Sequence, residues 1–277
     1  VKKSNKSMQK GCMIMSRNSL RSICRLIETV KTELPPEQEF LADLKRSIEL
    51  TDEKNARKPS QTYKPSSMGC IRGMYYQIIG KEQDKGNSSY CLVGICNSGT
   101  DIHDRTQKAV MQMKENGIDC EYCNVADYVK SRHLDYLDIV SQQGNETKLY
   151  HKILNMSFLC DGIIRYKGKY YILELKTESI YKWQSRQGVD EKHYAQGTAY
   201  SVAFGIDQVI FVYINRDNLD SKAFMFDVTD EMKHKLVGKI EECDRYVNTS
   251  TVPPKPENAN AKICQYCSYR NSCKKDV

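Results

Sequence analysis

Residues 160–179 read CDGIIRYKGKYYILELKTES. Two runs rich in Ile, Leu and Tyr flank Lys167-Gly168, which suits a two-residue hairpin turn. In such a hairpin paired residue numbers sum to 335, so Asp161 stands across from Glu174, with Cβ atoms about 4.5–5.5 Å apart. Lys176 follows two residues later and shares the face of Glu174. Like charges facing each other in a sheet repel. They are tolerated where one is protonated or a cation lies between them. A hard divalent ion such as Mg²⁺ or Mn²⁺ suits carboxylate oxygens. A lysine beside it can orient or deprotonate a metal-bound water, which is hydrolytic machinery with phosphodiesters as a natural target. The alternative is a solvated strand face on which Lys176 offsets both acids.

The chain has 277 residues, 40% of them apolar, a net charge of +7 and a pI near 8.7. That is enough for one large domain, or for one domain with a smaller attachment. The basic balance suits a phosphate-bearing partner. No apolar run reaches the roughly 18 residues needed to cross a bilayer, and the opening VKKSNKSMQKGCMIMS does not read as a signal peptide. Twelve cysteines without a secretory signal imply thiols in a reducing cytoplasm. Cys24, Cys91, Cys96 and Cys160 read as buried small hydrophobes.

Residues 1–65 read as a helical appendage and linker, with helices over 18–33 and after Pro35-Pro36, then ARKPSQTYKPSS. Residues 66–277 read as the main domain. Ser66 or Ser67 can cap a helix covering MGCIRGMYYQIIG. Further helices are expected over 100–115, carrying His103, and over 125–142. Strands are expected at 147–155, 157–166 and 169–177. A helix over 190–204, a buried strand at 207–215, a strand at 222–228 and a long helix over 229–246 complete the domain. Helices bracketing such strands give an α/β or α+β class with a central mixed sheet.

Gln196 and Tyr200 lie at i and i+4 on the helix after the hairpin, so they share a face. Cys264-x2-Cys267-x5-Cys273 closes the chain as a metal nest lacking a local fourth ligand. Zn²⁺ or an iron–sulfur cluster fits, with Cys70, Cys243, Cys12 or a histidine as the fourth ligand.

Taken in order, Cys70, His103, Asp161, Glu174-Leu175-Lys176, Gln196-x3-Tyr200 and Cys264/Cys267/Cys273 resemble the RecB-like branch of the PD-(D/E)XK nuclease superfamily. The nearest likeness is to the CRISPR-associated RecB-type exonucleases and the iron–sulfur nuclease domain of AddB. It covers roughly residues 66–277. Cys70-Ile-Arg72-Gly-Met-Tyr75-Tyr76 looks like the family's lone-cysteine helix, and Gly99-Thr-Asp-Ile-His103 like its histidine motif, in which the histidine begins a helix. The proline that often precedes the family's aspartate is Cys160 here.

The resemblance implies a restriction-endonuclease-like core clasped by a [4Fe–4S] cluster on Cys70, Cys264, Cys267 and Cys273. It implies Mg²⁺ or Mn²⁺ on His103, Asp161 and Glu174, helped by the Leu175 carbonyl. Lys176 becomes the catalytic lysine, supported by Gln196 and Tyr200, which would also contact DNA. Glu146 is an accessory acid, and Arg72, Lys182, Arg186 and Lys192 would line the groove, with Tyr181 and Trp183 available to stack on bases. The implied activity is a DNA exonuclease acting on single-stranded ends in recombination, repair, phage DNA processing or CRISPR adaptation. Recombination, helicase or CRISPR-adaptation proteins are the implied partners. A structure-specific endonuclease and a non-catalytic DNA-binding iron–sulfur subunit are the alternatives. No GxxxxGK[ST] motif occurs, so the chain has no helicase signature of its own.

Overall fold

A computed structural model describes residues 34–55, 60–84, 89–143, 146–256, 264 and 267–276. The helix expected over 18–33 lies outside them. The chain divides into two compact units, Val1–Ile48 and Glu49–Val277. Helix α1 (Pro36–Lys54) has no buried residue. Residues 60–67, read above as the end of a linker, are built into the second unit. Tyr63 is buried and bridges Met156, while Ser66 and Ser67 belong to a 3₁₀ turn rather than capping a helix.

The hairpin comprises β5 (Gly162–Tyr166) and β6 (Lys169–Glu178), paired from Gly162↔Leu173 to Tyr166↔Lys169. Lys167 and Gly168 have φ of 49° and 81°. Two successive left-handed residues give the primed turn whose twist matches the strands. These strands lie in a five-stranded sheet ordered β1-β5-β6-β7-β8, with β1 (Cys120–Cys123), β7 (Gln208–Asn215) and β8 (Ser221–Asp227). Only β6 and β7 run parallel, so the sheet is mixed. A second, antiparallel sheet holds β2 (Leu137–Gln143), β3 (Glu146–His151) and β4 (Met156–Cys160).

Side chains alternate across β6, which gives the central sheet two unlike faces. Leu173 and Leu175 join Ile164 and Cys120 in a small core, against which Val110 and Met113 pack. Those two come from the end of helix α3 (Tyr90–Gln112) and the residue after it. Ile172, Phe211 and Tyr213 face the main core. That core includes Ala199, Tyr200 and Phe204 of helix α6 (Tyr194–Phe204) and Leu236 and Ile240 of α7 (Asp230–Asn248). Gln196 and Tyr200 are therefore buried rather than part of a polar surface stripe.

Several expected boundaries move. Helix α2 spans Ile71–Ile78, with Cys70 before its first turn, and α3 starts ten residues earlier than expected, which places His103 mid-helix. The helix expected over 125–142 is α4 (Val125–Ser131) followed by strand β2. His133, with φ 52°, turns the chain between them. The strand expected over 157–166 is broken at Asp161, where the chain leaves one sheet for the other. Strand β3 ends at His151, short of the expected 155. Cys160 is buried, but Cys91 and Cys96 are exposed on α3 and are not core residues.

The two ends of the second unit are tied together. Arg72 Nη2 donates to the Asp276 carbonyl at 2.6 Å, and Tyr76 Oη to its carboxylate at 2.8 Å. Asp84 accepts from the Asn271 backbone N–H at 2.6 Å. Arg72 is thus a buried strap and not a groove residue.

Candidate active site

Asp161 occupies the residue between β4 and β5 and is held from several sides. Its Oδ2 accepts from the Leu175 backbone N–H at 2.7 Å. Its carbonyl accepts from Gln107 Nε2 at 2.8 Å and from Tyr122 Oη at 3.2 Å. His103, one helical turn before Gln107 on α3, brings Nδ1 to 3.6 Å from Asp161 Oδ1. Burial pulls the imidazole toward the neutral form, but Asp161's hydrogen bond and charge outweigh it, so its pKa is raised. Sequence reading missed Gln107 and Tyr122. The i+4 spacing of Gln107 from His103 was the available signal for the first.

Glu174 is buried on β6, in the position that the β5–β6 register, carried one step beyond Gly162↔Leu173, sets opposite Asp161. Its Oε1 accepts from Lys176 and, at 2.6 Å, from Gln196 Nε2. Its Oε2 is buried and has no hydrogen-bond partner among the described residues. Burial first, then the Asp161 charge, push its carboxyl up to about 8, against the opposing pull of Lys176 and His103. A buried acceptor without a donor is costly, and a cation satisfies it.

Gln196 uses both ends of its amide. The carbonyl accepts from Lys176 Nζ at 3.0 Å, and the amide nitrogen donates to Glu174 and, at 2.8 Å, to Tyr200 Oη. Tyr200 Oη in turn donates to the Leu159 carbonyl of β4 at 2.8 Å. This relay fixes the lysine and ties β6 to the strand that delivers Asp161. Both members are buried, so their reach is to protein groups.

Glu146 begins β3. The β3–β4 register, carried one step beyond Thr147↔Cys160, sets it opposite Asp161. Among the described residues no three His, Cys, Asp or Glu side chains form a complete metal-ligand group. The donor chemistry still fits a hard divalent ion: two carboxylates, an imidazole and the partnerless Glu174 Oε2.

Of the other expected groove residues, Arg186 is half-buried and paired with Glu178, Lys182 bridges Glu178 and Asp190, and Lys192 lies 3.9 Å from Asp190. Trp183 donates to the Tyr213 carbonyl at 3.1 Å beneath the Lys222 ammonium, so it is a packing residue. Tyr181 is 83% exposed. A cavity of about 490 Å³ lined by Tyr128, Arg132, Tyr170 and Phe204 involves none of the carboxylate-cluster residues.

The cysteines cluster at the tied chain ends. Burial, then the proximity of Cys70 and Cys273, raise the Cys264 thiol pKa; Cys267 is raised by burial and feels all three. The Tyr269 backbone N–H donates to Cys267 Sγ at 3.4 Å. Among the described residues, Cys70, Cys264, Cys267 and Cys273 included, no group of three or more such side chains is placed to hold a metal ion. Cys243 instead points its Sγ at the Ile71 carbonyl, 3.9 Å away, inside the core.

No protein-family model matches the chain, and no curated protein matches it. Solved structures resemble it at low identity. SSO0001 aligns at 17% identity over 86% of this chain and 98% of that one, with a TM-score of 0.45. An alkaline exonuclease (LHK-Exo) from Laribacter hongkongensis aligns at 11% identity over 69% and 90%, with a TM-score of 0.42. Its complex with dAMP aligns at 10% identity over the same shares, with a TM-score of 0.41. Likeness of this degree decides neither fold nor activity, which rest on the chain's own geometry. Among the described residues no helix is long and apolar enough to cross a membrane.

Proposed function

We propose that the chain is a metal-dependent deoxyribonuclease that hydrolyses phosphodiester bonds at single-stranded DNA ends. The observation that carries this is Glu174: a buried carboxylate facing Asp161, with Lys176 on one oxygen and nothing on the other. Asp161, Glu174 and His103 would hold Mg²⁺ or Mn²⁺, with the Leu175 carbonyl assisting and Glu146 as an accessory acid. When bound, the ion supplies Lewis-acid polarisation of the scissile phosphate and acidification of a water.

The chain's own residues supply the rest. Leu175 N–H, Gln107 and Tyr122 fix the Asp161 backbone and carboxylate before any substrate arrives. Gln196 holds Lys176 Nζ beside Glu174. From there Lys176 orients the attacking water, or takes its proton, and donates to the oxygen on which negative charge develops. Tyr200 keeps Gln196 in one orientation, so the lysine is placed without reorganisation. Cys70, Cys264, Cys267 and Cys273 would carry a [4Fe–4S] cluster, or Zn²⁺, as a structural clasp across almost 200 residues of chain.

Linear and circular single-stranded DNA, incubated with Mn²⁺, test the end requirement. Degradation of the linear form with the circle left intact supports an exonuclease. Cutting of the circle moves the reading to an endonuclease on the same core.

A further inference from the structure

A second polar cluster lies at the carboxyl end of β6. Glu178, the last residue of that strand, is buried and accepts from Arg186 Nε at 2.9 Å and Nη2 at 2.6 Å. Arg186 Nη2 also reaches Asp190 Oδ2 at 3.2 Å, and its guanidinium stands 4.3 Å from the Tyr213 ring centre. Lys182 Nζ is 3.0 Å from Glu178 Oε1 and 3.1 Å from Asp190 Oδ2. Lys192 Nζ is 3.9 Å from that same Asp190 oxygen. Two carboxylates thus face three cations. Among the described residues Glu191 adds no ion pair to the group.

The surplus charge sits on the two lysines, whose side chains are 41% and 59% exposed, and not on Arg186, at 9%. Burial first, then the adjacent Lys182, holds the Lys192 ammonium below its ordinary pKa. Two like charges crowded at an exposed rim are relieved by an anion.

The loop carrying these residues is fixed from within. Lys222 Nζ donates to the carbonyls of Trp183 at 2.9 Å and Arg186 at 3.2 Å. The Asp190 backbone N–H donates to Tyr213 Oη at 3.0 Å, and that oxygen lies 2.8 Å from His193 Nδ1. The His193 ring stacks on Phe211 and Tyr213, with centroids 6.0 and 5.8 Å away. Those residues pair with Glu174 and Lys176 in the β6–β7 register. The anchor of the cluster and the proposed catalytic lysine therefore lie on one strand. Glu178, which anchors Lys182, lies two residues beyond Lys176, about 6.6 Å along the strand, on the scale of one nucleotide of an extended chain.

We propose that Lys182 and Lys192 bind the backbone phosphate adjacent to the scissile one on a single DNA strand. This rests on the deoxyribonuclease reading above. Ammonium groups suit phosphate as compact point charges, and the Arg186–Glu178 pair keeps their mounting rigid.

The test is fluorescence anisotropy of a labelled single-stranded oligonucleotide, with chelator to stop cleavage, at about 50 to 200 mM salt. The native chain is compared with K182Q/K192Q and with the charge-retaining K182R/K192R. Losing the neutralisation of that one phosphate makes the slope of log affinity against log salt about 0.7 shallower. Binding at low salt is expected to fall about tenfold with glutamine and to persist with arginine. Parallel salt lines for the native and glutamine chains overturn the subsite. So does an arginine variant as weak as the glutamine one, since that marks a structural role. Cleavage by the native chain with parallel lines removes only the subsite. A native chain that neither binds nor cleaves DNA removes the deoxyribonuclease reading with it.

Discussion

Gln196 Nε2 donates to Glu174 Oε1 at 2.6 Å while Gln196 Oε1 accepts from Lys176 Nζ at 3.0 Å. One amide therefore holds an acid and a base that lie two residues apart on β6. Replacing Gln196 with Ala leaves Lys176 tethered to Glu174 alone. The expected loss in kcat is about 10- to 100-fold, smaller than for loss of the lysine, because the relay positions but does not react. Steady-state kinetics with Mn²⁺ measure it. Gln196→Glu is expected to fare no better, since a second carboxylate would face Glu174.

Glu174→Gln keeps the shape of a buried carboxyl that burial and the Asp161 charge already push toward its neutral form. In chelator the variant is expected to melt at or above the native temperature, yet to lose Mn²⁺ binding by calorimetry and all cleavage. A variant that melts well below native and keeps cleaving would place Glu174 in the scaffold instead.

Gly162→Ala tests the strap on Asp161. A Cβ there would come within 2.6 Å of the Tyr122 ring, whose hydroxyl donates to the Asp161 carbonyl. Overpacking of this kind costs about 1–3 kcal/mol. The expected result is a lower denaturation midpoint together with reduced cleavage.

Arg186→Gln removes the paired hydrogen bonds to Glu178 and leaves Lys182 to offset its charge, a loss of about 1.5–3 kcal/mol. Burial raises the Glu178 pKa, but the bonds from Arg186 and Lys182 lower it more, so the net shift is downward. A depressed carboxylate contributes stability above its unfolded pKa of about 4.3, and loses it as pH falls toward the folded value. The gap between native and variant midpoints is therefore expected to be full at neutral pH and to narrow below about 4. Urea unfolding across pH reads it directly.

Anaerobic purification tests the cysteine cluster. About four irons per chain with absorbance near 400 nm are expected, falling away in Cys264→Ala along with thermal stability. Zinc at about one per chain would replace the cluster with a tetrahedral clasp. Absence of both would remove the metal clasp and leave the Arg72–Asp276 strap as the tie between chain ends.

The hairpin was legible because its turn is local. Lys167-Gly168 supplies both left-handed residues, and once the turn is set every pair in β5–β6 follows. The mid-helix position of His103 was not legible, since residues 90–99 carry a helix without strong amphipathic patterning. The α4–β2 break was hidden for a different reason. His133 adopts positive φ without being Gly or Asn, and Val125, Val129, Tyr136 and Val140 continue a plausible helical spacing through it. The break at Asp161 had a signal in Gly162, which admits the Tyr122 ring. Arg72 and Arg186 looked like groove residues because sequence shows charge but not burial; the Asp276 carbonyl and Glu178 that claim them lie 204 and 8 residues away.

Lys176→Ala offers the most direct measurement. End-labelled single-stranded DNA is incubated with Mn²⁺, with native chain or variant, and with native chain plus chelator. The account expects cleavage by the native chain, none with chelator, and a loss of about 100- to 10,000-fold in the variant, with its melting temperature preserved. Native-like cleavage by the folded variant, or cleavage undiminished by chelator, would contradict it.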